Sequence, residues 1–123
     1  MARPAWRPRT TRVVTSAPYS GLNLGAHVGD DANAVAANRR LLASSLNLPA
    51  APVWLTQVHG AVTIRADDAI DCTADASCTR EAGVVCVVMT ADCLPILLCN
   101  RAGDAVAAVH AGWRGLAGGV VES

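Results

Sequence analysis

The sequence has 123 residues and a formal net charge of zero, and 52% of its residues are hydrophobic but only 3% aromatic. This length suits one domain with a modest core, which must consist of aliphatic side chains because Phe is absent. Outside an arginine cluster near the N-terminus there is no basic surface for nucleic acid, and no apolar segment follows that cluster to form a signal peptide or a membrane anchor. We therefore expect a soluble, cytoplasmic, single-domain protein over residues 1–123, flexible at 1–10.

The first third of the chain is predicted to hold one short strand and one helix. Thr11–Val14 favours a strand, and Ser16–Gly29 is a loop rich in glycine, serine, proline and asparagine. Asp30 and Asp31 are good N-cap residues for a helix that spans Ala32–Leu46.

The remaining two thirds alternate between apolar runs and turn-forming residues, which predicts several strands and a final helix. Asp67–Glu81 is predicted to be a long polar connection, Asn100–Asp104 a hairpin loop, and a helix should begin near Trp113. The predicted strands are Val53–Val58, Val62–Arg65, Val84–Met89, Pro95–Cys99 and Ala105–Val109. The fold class is α+β, mostly strands with a helix at each end.

Five cysteines without a signal peptide do not indicate a disulfide scaffold. Cys86 and Cys99 lie in apolar strands and are expected to be buried, as free cysteines commonly are. Cys72 and Cys78 lie in a polar stretch and are expected in a surface loop. The fifth, Cys93, belongs to a different pattern.

Three apolar runs each end on a residue that can bind a transition metal, namely His59, Cys93 and His110. Side chains at strand ends beside glycine or proline turns point out of the rim of a sheet, where sites are usually built. Two imidazoles and one thiolate suit zinc and leave a fourth position for water or substrate. Each residue alone could equally be structural, and spacing alone does not establish that the three meet in space.

The three sequence motifs that contain these residues also resemble those of a known protein family. They read Gln-Val-His-Gly at 57–60, Thr-Ala-Asp-Cys-Leu-Pro at 90–95 and Val-His-Ala-Gly-Trp-Arg-Gly at 109–115. Together with earlier segments from Thr11 onward, they resemble the laccase-domain or multicopper polyphenol oxidoreductase family, whose members are also described as purine nucleoside phosphorylases and peptidoglycan editing factors.

The resemblance implies a layered α/β/β/α sandwich, related to a toxin-like cysteine hydrolase fold, with zinc bound by His59, Cys93 and His110. Relatives are about twice as long, so the chain resembles an N-terminal half, truncated at its C-terminus. We therefore expect self-association or dependence on a missing C-terminal half. The chain holds three histidines in all, too few for a four-copper centre. Copper could still occupy the single site in place of zinc.

The function that this favours is zinc-dependent chemistry on a purine nucleoside, either phosphorolysis of adenosine or inosine or deamination of adenosine. The chain contains no lysine, so phosphate would have to be held by arginine, backbone N–H groups or metal. Asp92 could orient a histidine or accept a proton, or it could simply cap a turn. The residues expected to bind substrate are Arg12, Asn23, Gln57 and Arg114.

Two other functions remain open from the sequence. Cys93 could be the nucleophile of an amide hydrolase, with His110 as its base, in peptidoglycan precursor editing. Alternatively, the chain could be a non-catalytic metal-binding fragment, which a fourth protein ligand would favour.

Overall fold

A computed structural model describes residues 17–19 and 21–123. The chain divides into two compact units, of which one ends at Ser45 and the other spans Leu46–Ser123. The predicted strand at Thr11–Val14, with Arg12 in it, lies outside the described residues. Among the described residues, no helix combines the length and apolar character that a membrane crossing requires.

The first unit contains helix α1, which spans Ala32–Ser45 and confirms the predicted helix to within one residue at its end. The helix begins where expected because the side chain of Asp31 accepts a hydrogen bond from the N–H of Ala34 at 2.9 Å. Asn38 is fully buried on this helix, and its side-chain amide donates to the backbone carbonyl of Asn23 at 2.9 Å. This bond ties the helix to the loop that precedes it.

The second unit is built on a four-stranded sheet followed by a short helix, and together with α1 it confirms the α+β class. In spatial order the strands are β1, β2, β4 and β3; β1 and β2 are parallel and the other two pairs antiparallel. The elements are β1 (Thr63–Arg65), β2 (Ala76–Thr79), β3 (Leu94–Cys99), β4 (Val106–Ala111) and α2 (Trp113–Ala117).

The hairpin between β3 and β4 confirms the predicted turn. The side-chain oxygen of Asn100 accepts hydrogen bonds from the N–H groups of Asp104 and Ala105 at 3.0 and 3.2 Å. Gly103 adopts a φ of 74°, which a residue without a Cβ reaches at little cost. Local turn chemistry therefore fixes the register of this strand pair.

The core of the second unit is made of small and β-branched residues. Ala76, Val109, Ala111 and Val120 form a buried cluster, against which Ile96 packs. The cluster joins the two central strands to the segment after α2. Because these side chains are small, the strands and this segment can pack closely without the large aromatic residues that the sequence lacks.

The prediction of a polar connection over Asp67–Glu81 is wrong in its second half. Residues 76–79 form β2, an inner strand paired with β1 on one side and β4 on the other. The string Ala-Ser-Cys-Thr lacks an apolar pattern, yet Ala76, Ser77 and Thr79 are buried and Cys78 is half-buried. Pairing on both edges satisfies the backbone polar groups, so the strand forms despite a composition typical of a loop.

The two predicted strands at Val53–Val58 and Val84–Met89 are extended segments without a continuous ladder. Their backbones pair at an isolated parallel bridge between Val53 and Cys86, and a second bridge joins Thr56 to Thr73. One reason is that a side chain takes over part of the pairing between the segments, as described below for Gln57.

Cys99, which the sequence predicts to be buried, is exposed at the end of β3. Leu97 belongs to the same predicted apolar strand and is 78% exposed, so a charge at position 97 would not enter a core. Both lie on β3, which is the edge strand of the sheet. Cys86 is half-buried, and burial raises the pKa of its thiol.

Candidate metal centre

His59 lies in a tight loop after the extended segment 53–58. Its φ is 59°, in the left-handed region that non-glycine residues seldom adopt, and its side chain is exposed. The loop is held by the carboxylate of Asp75, which accepts hydrogen bonds from the N–H groups of Val58, His59 and Gly60 at 3.1, 2.9 and 2.7 Å. Three bonds to one carboxylate stabilise a backbone conformation that would otherwise be unfavourable.

His110 lies inside β4 rather than beyond its end, because the strand continues to Ala111 where the sequence suggested an end at Val109. The side chain is only 4% exposed, and its Nδ1 lies 2.8 Å from Oδ1 of Asp75. The backbone N–H of His110 also donates to the carbonyl of Asp75 at 2.7 Å. Strand pairing therefore brings an imidazole and a buried carboxylate together across the sheet.

Cys93 lies in the turn before β3, and its half-buried thiol faces the backbone of Gly112. A Cβ atom at position 112 would lie 3.0 Å from Sγ of Cys93 and 3.6 Å from Cδ2 of His59. The turn before β3 and the turn after β4 thus come together at the end of the hairpin, with His59 beside them.

The three predicted ligands converge. One potential ligand atom from each of His59, Cys93 and His110 lies within 4.8 Å of the others, and the rings of the two histidines meet edge to face with their centroids 4.8 Å apart. Because Nδ1 of His110 is engaged by Asp75, Nε2 is the nitrogen free for a metal. Two imidazole nitrogens and a thiolate are a donor set that suits zinc or copper. The group could hold a metal ion, and among the described residues it has three members.

The carboxylate of Asp75 is charged despite complete burial of the residue. Burial by itself raises its pKa, but hydrogen bonds from the imidazole of His110 and from the N–H groups of residues 58–60 outweigh that effect. The net result is a pKa below the ordinary value for aspartate. A fixed negative charge therefore lies directly behind the two histidines.

Asp75 makes the contact with a histidine that the sequence suggested as one role of Asp92. Asp92 is exposed, and the carboxylate that contacts a histidine of the site belongs to Asp75 instead. Sequence reasoning missed Asp75 because it lies in the stretch predicted to be a polar connection. Its only local signal is a position between two alanines at the start of a strand. Gly112 was missed as well, since a glycine before a helix commonly marks a turn and nothing more.

The other predicted site residues have local roles of their own. Gln57 forms two hydrogen bonds with the backbone of Met89, donating to its carbonyl at 2.8 Å and accepting from its N–H at 2.7 Å. Asn23 lies in the first unit, where its side chain donates to Asp30 at 2.9 Å. Arg114 is exposed on α2, with its guanidinium carbon 5.2 Å from the centroid of the Trp113 ring. Arg12 lies outside the described residues.

Fold and site together define an α+β protein with a His-Cys-His group, able to hold a metal, at the end of a β-hairpin. The sequence profile of the multi-copper polyphenol oxidoreductase laccase family matches residues 8–123. The chain belongs to that family.

Curated relatives from several bacteria are similar to this chain. It is 54% identical over 117 residues to the protein of Shigella flexneri named purine nucleoside phosphorylase YfiH, covering 92% of this chain and 48% of that protein. It is 53% identical over 117 residues to the Escherichia coli protein of the same name, again covering 92% of this chain and 48% of that protein. The chain therefore spans about half the length of the relatives that it matches.

Solved structures show the same fold. A crystal structure of a Neisseria meningitidis protein matches with a TM-score of 0.79 and 50% identity, covering 87% of this chain and 44% of that one. The structure of YlmD from Geobacillus stearothermophilus matches with a TM-score of 0.71 and 36% identity, covering 85% of this chain and 43% of that one.

Proposed function

We propose that this chain supplies the metal-binding site of a cytoplasmic purine nucleoside enzyme. The observation that carries the proposal is the convergence of one ligand atom each from His59, Cys93 and His110 to within 4.8 Å. The names of the similar Shigella and Escherichia coli proteins point to purine nucleosides and phosphate as the substrates. The metal is zinc in this proposal, with copper able to occupy the same ligands.

A zinc ion in this site would supply a Lewis acid and lower the pKa of a bound water. His59, Cys93 and His110 would hold the ion, and the substrate would bind beside it. Asp75 would stay ionised behind the site and keep the imidazole of His110 in place. His110 is buried and His59 is exposed, so a nucleoside would approach the site from the side of His59.

The reaction that we propose first is phosphorolysis of adenosine or inosine. A phosphate oxygen forms a bond to C1′ of the ribose, the glycosidic bond breaks, and the purine leaves with the bonding electrons and takes up a proton. Arg114 is a suitable phosphate partner because its guanidinium is exposed on the helix that follows Gly112. Deamination of adenosine at C6, with water as nucleophile and ammonia as product, is the second reaction proposed for the same site.

Metal analysis combined with product analysis tests this function. Purified protein is expected to contain one zinc per chain, and incubation with adenosine and phosphate to yield adenine and ribose 1-phosphate, with inosine as the product of deamination. His59→Ala and Cys93→Ala should each lose the metal and the turnover while remaining folded. Cys99→Ala is the matched control, because Cys99 is exposed at the far end of β3 and should keep both. A Cys93→Ala protein that retains stoichiometric zinc would rule out the assigned ligands.

A second candidate function is favoured by the hydrogen bond between Asp75 and His110. A carboxylate that orients a histidine beside a thiol is also the arrangement of a cysteine hydrolase, with Cys93 as nucleophile and His110 as base. His110 would take the proton of the Cys93 thiol, the thiolate would attack an amide carbonyl, and the amine would leave with that proton. Water would then hydrolyse the thioester, which releases the acid and restores the thiol.

Chelation separates the two functions. A zinc enzyme should lose turnover when dialysed against a strong chelator and regain it when zinc is returned. A thiol hydrolase should keep its amidase activity in the chelator and lose it only on alkylation of Cys93.

A further inference from the structure

Asp75 is chemically distinct among the acidic residues of the second unit because it is completely buried and its partners belong to the candidate site. Oδ1 accepts hydrogen bonds from Nδ1 of His110 and from the N–H of His59 at 2.8 and 2.9 Å. Oδ2 accepts from the N–H groups of Val58 and Gly60 at 3.1 and 2.7 Å. No arginine contacts Asp75 among the described residues, so these dipoles and the imidazole are what compensate its charge.

The backbone donors decide which nitrogen of His110 carries the proton. An ionised carboxylate only accepts hydrogen bonds, and three fixed N–H groups already donate to Asp75. The hydrogen between Asp75 and His110 must therefore be on Nδ1. In the neutral imidazole this leaves the lone pair on Nε2, which is the form that a metal ligand requires.

The same carboxylate also sets the position of His59. The left-handed conformation of this residue, with φ at 59°, is unfavourable unless its surroundings hold it. Hydrogen bonds to Asp75 from three consecutive N–H groups fix that conformation, and with it the direction in which the side chain leaves the loop. One side chain thus controls both imidazoles, which are 51 positions apart in the sequence.

We propose that Asp75 is a positioning residue that holds the imidazoles of His59 and His110 in the geometry that binds the metal. The inference rests on the metal site of the proposed function. It goes beyond that function because it assigns to a residue outside the ligand set both the tautomer of one ligand and the backbone conformation of the other.

The first test needs neither metal nor a variant. Long-range proton–nitrogen correlation spectra of the metal-free protein report which ring nitrogen of His110 carries hydrogen. We expect the Nδ1–H tautomer near neutral pH. An Nε2–H tautomer at His110 would overturn the proposal.

The second test compares Asp75→Asn with the wild type. The amide cannot accept all four hydrogen bonds, so the N–H groups of residues 58–60 should exchange faster with solvent. Zinc affinity, measured by competition with a chromophoric chelator, should fall by roughly 10–100-fold, as for other partners of metal-binding histidines. Asp68→Asn is the control, because Asp68 is exposed and should leave both quantities unchanged.

The outcomes separate this inference from the proposed function. If the wild type binds no zinc but has the Nδ1–H tautomer and protected N–H groups at 58–60, the metal function fails, and only the control of Asp75 over the two histidines stands. If the wild type binds zinc and a folded Asp75→Asn variant binds it equally well, the metal function stands and the inference is wrong. Should Asp75→Asn fail to fold, the tautomer of the wild type decides.

Discussion

At the scale of single residues, Gly112 determines how much space the candidate metal centre has. Its φ of −76° and ψ of 170° are extended backbone that any residue adopts, so alanine would cause no backbone strain there. The side chain at position 112 is instead restricted by Cys93 and His59, because a Cβ there would lie 3.0 Å from Sγ of Cys93 and 3.6 Å from Cδ2 of His59. The glycine is needed for the space between two ligands.

We predict that Gly112→Ala weakens zinc binding while the chain stays folded. The added methyl group must displace the thiol of Cys93 by a few tenths of an ångström, and a loss of about tenfold in affinity corresponds to about 1.4 kcal/mol. Gly118→Ala is a matched control, since its Cβ would meet the carbonyl oxygen of Arg114 at 3.2 Å and Cβ of Ala61 at 3.3 Å, but no ligand. Zinc titration in competition with a chelator measures both. Equal affinities for Gly112→Ala and wild type would contradict the role assigned to this glycine.

At the scale of elements, Gln57 joins the two extended segments that lead to His59 and Cys93. Its side-chain amide pairs with both backbone groups of Met89, much as a neighbouring strand would. This side-chain pairing explains in part why the two segments lack a continuous ladder of backbone hydrogen bonds. It engages both the nitrogen and the oxygen of the Gln57 amide. Reading a nucleoside with the same side chain would require breaking at least part of this pairing.

We predict that Gln57→Leu destabilises the fold by about 2 kcal/mol, because the N–H and carbonyl of Met89 lose their partners. Gln57→Glu should fall between this variant and the wild type, since a carboxylate still accepts from the N–H of Met89 but cannot donate to its carbonyl. Urea unfolding gives the free energies, and hydrogen exchange of the Met89 amide reports the bond directly. Unchanged stability together with a raised KM for nucleoside would instead favour a role in substrate binding.

At the scale of the whole molecule, the edge of the sheet exposes apolar side chains. Leu97 is 78% exposed and Val106 is 46% exposed. Cys99 pairs with Val106 across the two strands, and Leu97 lies two residues before Cys99, so all three side chains lie on one face of the sheet. Exposed apolar surface beside an edge strand favours association, and a net charge of zero provides little repulsion against it.

We predict that the chain self-associates as its concentration rises, measured by size-exclusion chromatography with light scattering. Leu97→Ser should reduce association without unfolding, because the side chain contributes little to the core. Ile70→Ser is the control, since Ile70 is fully exposed but lies in a loop outside the sheet. A wild type that stays monomeric at all concentrations would refute the prediction.

The sequence by itself determined the features that depend on local chemistry. Asp31 caps α1 through its own side chain, and Asn100 closes the β3–β4 turn through bonds within five residues. The metal-binding capacity of His59, Cys93 and His110 is likewise a property of residue type, so all three could be identified from the strings that contain them.

Tertiary structure alone decided the features that depend on pairing between distant segments. β2 is a strand because β1 and β4 pair with both of its edges, although its own composition is typical of a loop. Asp75 matters because that pairing places its carboxylate 2.8 Å from a histidine 35 positions later in the chain. Hydrogen bonds between remote segments leave no periodic trace in the sequence, so neither the strand nor the role of its carboxylate could be predicted before the fold was known.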